Sequence, residues 1–165
     1  LRVVHSRGVA HGDVKPENVF VRGHGVDARI TLFDFGLARC LDLPPKQDGD
    51  APGRVMGSPN YIAPELWQGW SAGAQSDMYS LGVTLYRLLA GRLPFRQSPM
   101  WRLLQGASTP PAPLSPELPF GRMLEDMLGK LMAWNPAERP KRMDDVVKRL
   151  DEVYDDLGFS GAWPC

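Results

Sequence analysis

The sequence predicts a mostly α-helical domain, a bundle packed around one central buried helix, with a small β-hairpin near its front. Three observations predict it. The stretch from Met78 to Ala90 is apolar nearly all round, through Met78, Tyr79, Leu81, Val83, Leu85, Tyr86, Leu88 and Leu89. A surface helix keeps one polar face, so this one belongs at the centre of a domain. Two later stretches repeat apolar residues at helical spacing: Met123, Leu124, Met127, Leu128, Leu131 and Met132, then Met143, Val146, Val147, Leu150, Tyr154 and Leu157. Near the start, the β-type runs Val19–Val21 and Ile30–Phe33 flank Gly23-His24-Gly25, which reads as their turn.

Taken in order, residues 1–10 read as the end of a helix, then Gly8 and a short apolar step. A polar segment, His11 to Asn18, follows and feeds the hairpin. From Leu41 to Gly53 the chain is rich in Pro, Gly and Asp, the composition of an exposed loop. Asp77 is a candidate cap for the central helix, which Gly91 and Pro94 stop. Residues 94–119 carry many prolines and read as irregular around one short helix near Pro99–Gln105. Gly158 is expected to end the last helix, giving a domain over 1–158 and a tail over 159–165.

A chain of 165 residues, 43% apolar, is long enough for one domain with a real core. Its 19 basic and 19 acidic residues leave no electrostatic footprint for nucleic acid or an anionic membrane, so neither is expected as a partner. Balanced charge excludes neither an enzyme nor a binding module. Cys40 and Cys165 are too few and too scattered for a disulfide framework or a zinc site. They read as buried or idle thiols in a reducing compartment, hence a cytoplasmic location. The stretch around Met78–Ala90 is too short to span a bilayer and contains Arg87, so no membrane segment is expected here.

The segment His11-Gly12-Asp13-Val14-Lys15-Pro16-Glu17-Asn18 resembles the catalytic loop H-R-D-L-K-P-E-N of eukaryotic-type Ser/Thr protein kinases, matching six of eight positions. A chance match is on the order of 10⁻⁷ per start site. Sixteen residues past Asn18 stands Asp34-Phe35-Gly36, similar to the family's metal-binding triplet. Beyond it, Gly57-Ser58-Pro59-Asn60-Tyr61-Ile62-Ala63-Pro64-Glu65 resembles the substrate-side loop ending in A-P-E. A lone D-F-G is weak evidence; three motifs in order are strong.

The resemblance implies a protein-kinase-like C-terminal lobe, with ATP and Mg²⁺ as cofactors and a protein hydroxyl as acceptor. Phosphoryl transfer asks the protein to position reactants and neutralise charge. The resemblance gives Asp13 the substrate hydroxyl, to orient it or accept its proton, and Lys15 the γ-phosphate. Asn18 and Asp34 supply hard oxygen ligands of the kind Mg²⁺ prefers. Lys15, Asn18, Phe20 and Asp34 are the cofactor-binding candidates. His11 is expected to pack on Phe35 rather than do chemistry. Ser58 is expected to bond Asp13 and Lys15, Glu65 to pair with Arg139 of Asn135–Pro140, and Asp77 to hold the catalytic loop's backbone. Gly36 completes the metal triplet. His5 and His24 read as surface or packing residues.

Gly12 stands where the family usually has an arginine that receives an activation-loop phosphate. Between Gly36 and Ala63 the only hydroxyl residues are Ser58 and Tyr61, so the phosphate acceptor is missing too. Activity independent of activation-loop phosphorylation is therefore expected. Nothing before His11 resembles the Gly-rich loop, the β3 lysine or its partner glutamate, so a missing N-terminal lobe is expected as a partner. By itself the lobe should bind ATP poorly and expose an apolar face near Phe20 and Phe35. Three alternatives stand beside this reading. An aminoglycoside- or choline-type kinase often carries H-G-D but lacks Lys15-Pro16-Glu17 and A-P-E with its arginine. A tyrosine kinase differs at Lys15 and at Gly57-Ser58. A pseudokinase or interaction module is disfavoured by intact Asp13, Lys15, Asn18 and Asp34.

Overall fold

A computed structural model describes residues 1–42, 57–106, 109–118 and 121–156. Helix α1 (Arg2–Ser6) leads into β1 (Val9–Ala10), and a 3₁₀ turn (Pro16–Asn18) closes the polar segment before β2 (Val19–Arg22). Strands β3 (Arg29–Leu32) and β4 (Arg39–Cys40) follow, then α2 (Pro64–Trp67), α3 (Ala74–Ala90), α4 (Pro99–Leu104), α5 (Gly121–Leu131) and α6 (Met143–Asp156). The predicted class holds: helices dominate and the strands form two small antiparallel pairs.

Helix α3 is the axis. Met78, Tyr79, Val83 and Tyr86 are fully buried, against Leu124, Met127, Leu128 and Leu131 of α5 and Met143, Val146 and Val153 of α6 in one core. Gly82 sets how closely α3 approaches the end of α5. A Cβ there would lie 2.8 Å from Met132 Cγ and 2.9 Å from Leu131 Cβ, closer than atoms pack. Leu88, read as part of an all-round apolar helix, is 61% exposed.

The start of α3 corrects an expectation. Asp77 does not cap its own helix, which begins three residues earlier, after Gly73. The Ser76 hydroxyl folds back on Gly73, accepting from its N–H at 2.9 Å and donating to its carbonyl at 2.8 Å. With that end satisfied, the Asp77 carboxylate is free for another task. At the other end Gly91, with φ of 68°, closes the helix as the sequence predicts.

In the hairpin, Val19 pairs with Leu32, Phe20 with Thr31 and Val21 with Ile30. The return strand starts one residue earlier than predicted, and a 3₁₀ turn (Gly25–Asp27) lengthens the connection. The β1–β4 pair was not anticipated, because two-residue strands leave no periodicity to read. Residues 43–53 of the expected loop, and Leu157, Gly158 and the expected tail, lie outside the described residues. Among the described residues no helix is long and apolar enough to cross a membrane.

Candidate active site

The site is built upward from α3. Asp77, Ser80 and Thr84, spaced three and four apart, form one polar stripe along α3. All three are buried, where a polar group needs a partner. Asp77 accepts the backbone N–H of His11 at 2.7 Å and of Gly12 at 2.9 Å. Ser80 donates to the Tyr61 carbonyl at 2.7 Å, while the Thr84 hydroxyl donates to the Ser80 carbonyl at 2.8 Å and lies 3.4 Å from the Val14 carbonyl. The central helix thus grips the His11–Asn18 loop and the Gly57–Ala63 loop together. Asp77 holds the backbone of the His11–Asn18 loop. Ser80 and Thr84 were missed, although two small hydroxyl residues in register with Asp77 were a readable signal.

His5 is also repositioned. Its Nε2 lies 2.8 Å from Asp77 Oδ2 and its side chain is largely buried, so it is neither a surface residue nor idle packing. It buttresses the carboxylate that holds the loop. His24 is exposed, as expected.

Within the loop, four polar side chains converge. The Lys15 ammonium donates to Asp13 Oδ2 at 2.6 Å and to Ser58 Oγ at 3.0 Å. Asn18 Nδ2 donates to the Asp13 carbonyl at 2.8 Å and to Asp13 Oδ2 at 3.2 Å. The Ser58 N–H donates to Asp13 Oδ1 at 3.4 Å. Charge-assisted bonds of this kind fix the carboxylate's direction. Lys15 has its pKa raised, first by the hydrogen bond to Asp13, with the nearby charges of Asp13, Glu17 and Asp34 adding to the rise. It is a cation at any neutral pH.

Asp34 is brought to this cluster by its neighbour. The Phe33 N–H donates to the Asn18 carbonyl at 3.1 Å, and the Phe33 carbonyl accepts from His11 Nε2 at 3.1 Å. His11 Nδ1 accepts the Asp13 N–H at 3.3 Å, which places the imidazole proton on Nε2. One histidine therefore spans the backbones of Asp13 and Phe33, and its ring meets Phe35 edge-on at 4.6 Å between centroids. Asp34 itself has φ of 65°, the only non-glycine positive φ among the described residues. That conformation costs about 1 kcal/mol, and such cost concentrates where a side chain must point in one direction. The Gly36 N–H donates to Asp34 Oδ1 at 3.2 Å and steadies it.

The remaining candidates fall into two places. Arg139 and Glu65 form a buried bidentate pair, at 2.7 and 2.8 Å, beneath α2. Arg139 also donates to the carbonyls of Gln75, Ala133 and Trp134, so it ties the A-P-E end to α3 and α5's exit. Phe20 stands apart on β2, half exposed, with Phe35 similarly open to solvent.

For a divalent cation the donor chemistry fits. Asn18 spends its amide nitrogen on Asp13, which turns its amide oxygen away from that carboxylate, and the exposed Asp34 supplies a second hard oxygen. Mg²⁺ takes one or two protein oxygens and fills its octahedron with water and phosphate. Among the described residues no group of three His, Cys, Asp or Glu that could hold a metal ion is gathered.

Comparison with known proteins agrees with this geometry. The family model described as the protein kinase domain matches residues 1–149. The chain is 35% identical to serine/threonine-protein kinase pkn2 of Myxococcus xanthus, over 95% of this chain and 19% of that protein. It is 35% identical to PknA of Mycobacterium tuberculosis, over 84% of this chain and 31% of that one. To serine/threonine-protein kinase par-4 of Caenorhabditis elegans it is 32% identical, over 89% of this chain and 24% of the relative. The chain thus spans between a fifth and a third of the curated relatives it matches. On the family match over most of its length, with the loop, triplet and A-P-E segments at their places in the fold, the chain belongs to the protein kinase domain family.

Proposed function

We propose that this lobe serves a Ser/Thr protein kinase, transferring the γ-phosphoryl group of ATP to a protein hydroxyl. The observation that carries the proposal is the convergence of Asp13, Lys15, Asn18 and Ser58 through bonds of 2.6–3.4 Å, with Asp34 joined through Phe33. Asp13, held on both oxygens, orients the acceptor hydroxyl and takes up its proton as the new oxygen–phosphorus bond forms and the bond from the γ-phosphorus to the β–γ bridging oxygen breaks, with ADP as the leaving group. A carboxylate is a weak base, so orientation is its larger contribution. Lys15 offers a permanent cation beside that carboxylate, where charge on the transferred group is stabilised. Asn18 and Asp34 are the residues that would hold Mg²⁺, which when bound neutralises phosphate charge. Phe20 lies on the face that a nucleotide base would cover. A second lobe, supplying the Gly-rich loop and strand lysine, completes ATP binding.

Regulation differs from relatives that use an arginine before the catalytic aspartate. Gly12 has φ of 82°, and a Cβ there would lie 2.6 Å from the Leu37 carbonyl oxygen. The start of the activation segment is laid directly on the catalytic loop, and β4 pairs with β1. Backbone contacts replace a phosphate–arginine contact, and the site is competent without phosphorylation of that segment.

The test is transfer of labelled γ-phosphate by the full-length protein. Phosphoserine or phosphothreonine should appear on a protein acceptor and be lost in both Asp13→Asn and Asp34→Asn. Phosphorylation of an aminoglycoside or amino alcohol in preference to protein would contradict the proposal.

A further inference from the structure

A cleft of about 270 Å³ lies toward the C-terminal end of α3, between that helix, α5 and the proline-rich segment that precedes α5. None of its lining residues belongs to the catalytic loop or to the Asp34–Gly36 triplet. One wall is Tyr86, another is residues 110–113, and Glu125 and Gly129 line it from α5. The proline wall has a stiff backbone. Proline fixes its own φ, and Thr109, Pro110 and Ala112 each precede a proline, which favours extended backbone. No helix or turn interrupts residues 109–115. The wall is also pinned: Ala112 N–H donates to the Pro94 carbonyl at 2.9 Å, Leu114 N–H donates to Glu125 Oε1 at 2.6 Å, and the Pro113 carbonyl accepts from Arg92 at 2.9 Å. Such a cleft is preformed, and a ligand entering it has little left to order.

Two features of the lining point to a ligand. Gly129 sits inside α5, where glycine weakens a helix, yet a Cβ there would meet nothing within 4 Å. Packing accounts for Gly82 but not for Gly129, whose missing side chain leaves the cleft open. Of the lining residues, Glu125 alone is charged. Its Oε1 is taken by Leu114, and its Oε2 has no hydrogen bond or ion pair among the described residues. The cations around it are engaged elsewhere or turned to solvent. Lys130 pairs with Asp126 at 2.9 Å, Arg92 lies 5.6 Å over the Tyr86 ring and bonds Pro113, and Arg122 is exposed. A carboxylate oxygen among apolar walls favours a cation. The Tyr86 phenol registers that charge: burial raises its pKa, Arg92 opposes the rise and Glu125 adds to it. At roughly 30 Å³ for each water-sized group, 270 Å³ takes about nine non-hydrogen atoms, the size of one six-membered ring with a short aminoalkyl arm.

We propose that this cleft binds a small primary amine carrying one ring, with the ring seated against Tyr86 and residues 110–113 and the ammonium paired with Glu125. The carboxylate selects the charge, and the open position at Gly129 supplies the room. The site is separate from the groups that carry phosphoryl transfer and holds whether or not that chemistry does.

The probe is phenethylamine, followed by saturation-transfer NMR on the full-length protein, with 2-phenylethanol as its neutral counterpart. The amine should bind with a Kd of about 1 mM, and the alcohol at least about 10-fold more weakly. Glu125→Gln keeps an oxygen for the Leu114 N–H and removes only the charge. It should weaken the amine about 10-fold and leave the alcohol unchanged. Gly129→Leu fills the cleft from a helical position that favours leucine, so it should abolish both signals without lowering the thermal midpoint. If that variant proves less stable, Gly129→Ala, which adds a single methyl group, should still weaken the amine several-fold. Asp126→Asn removes the neighbouring carboxylate outside the cleft and should change nothing. No saturation transfer up to about 10 mM amine overturns the proposal, as does an alcohol that binds as well as the amine. So does an amine signal that survives Gly129→Leu, or one that falls as far in Asp126→Asn as in Glu125→Gln, since either places the amine elsewhere.

Discussion

At the scale of single residues, the catalytic loop is governed by two backbone facts that side-chain motifs do not display. Asp34 accepts a left-handed φ of 65°, and Gly12 one of 82° against the Leu37 carbonyl. Replacing Gly12 by Ala should cost about 1–2 kcal/mol by urea titration, because left-handed strain adds to a clash with backbone that has nowhere to move. Gly12→Arg should lower activity rather than confer phosphate-dependent activation, and Ser58→Glu should fail to activate the full-length protein. Asp13→Asn should lower kcat by about 10²–10³, in line with other preorganised polar groups, with a smaller effect on the KM for ATP. The site residues were legible because His11–Asn18, Asp34–Gly36 and Ser58–Glu65 are contiguous motifs whose spacing survives without coordinates. His5 was not legible. A histidine 72 positions from its partner Asp77 carries no local pattern, and only the fold brings the two to 2.8 Å.

At the scale of elements, α3 is a scaffold with two faces of different kind. Its apolar face fills the core, while Asp77, Ser80 and Thr84 hold the two loops that make the site. Thr84→Val keeps the shape and removes one buried bond, so it should cost about 1 kcal/mol of stability. Asp77→Asn should cost more, and its loss should also appear in kcat, since the backbone of His11 and Gly12 would lose an ionised acceptor. The Glu65–Arg139 pair lies farther from the chemistry, and breaking it with Arg139→Met should cost about 3–5 kcal/mol by leaving Glu65 buried and alone. Apolar periodicity revealed α3, α5 and α6 but not the polar stripe inside α3. A helix scored for hydrophobicity hides the three positions that do not conform. The start of α3 was misplaced for a related reason: Asp77 is an ordinary capping residue type, and nothing local shows that Ser76 already serves Gly73.

At the scale of the whole molecule, the core sets the alkaline limit of stability. Burial pushes the Tyr79 phenol up to about 12. Below pH 10 the phenol is protonated folded or unfolded, and it makes no pH-dependent contribution. Between pH 10 and 12 the unfolded chain releases the proton and the folded one does not, so stability falls as pH rises, by about 2 kcal/mol over that window. The raised Lys15 pKa acts in the same direction, since its bond to Asp13 is intact below the ordinary lysine value and lost as pH passes the raised one. Tyr79→Phe should flatten the alkaline limb of the unfolding midpoint and leave the neutral value within about 1 kcal/mol. The overall class was readable from three helical patterns and one hairpin. The β1–β4 pair, which lays the activation segment against the catalytic loop, was not, since strands of two residues are defined by their partners.

The account rests on Asp34 sharing one place with Asn18 and Asp13, and Mn²⁺ in place of Mg²⁺ measures that most directly. With ATP and substoichiometric Mn²⁺ added to the full-length protein, the side-chain amide of Asn18 and the backbone amide of Asp34 should broaden together in a nitrogen-15 spectrum, and both effects should fade in Asp34→Asn. Broadening of one without the other, or equal broadening in the variant, would contradict it.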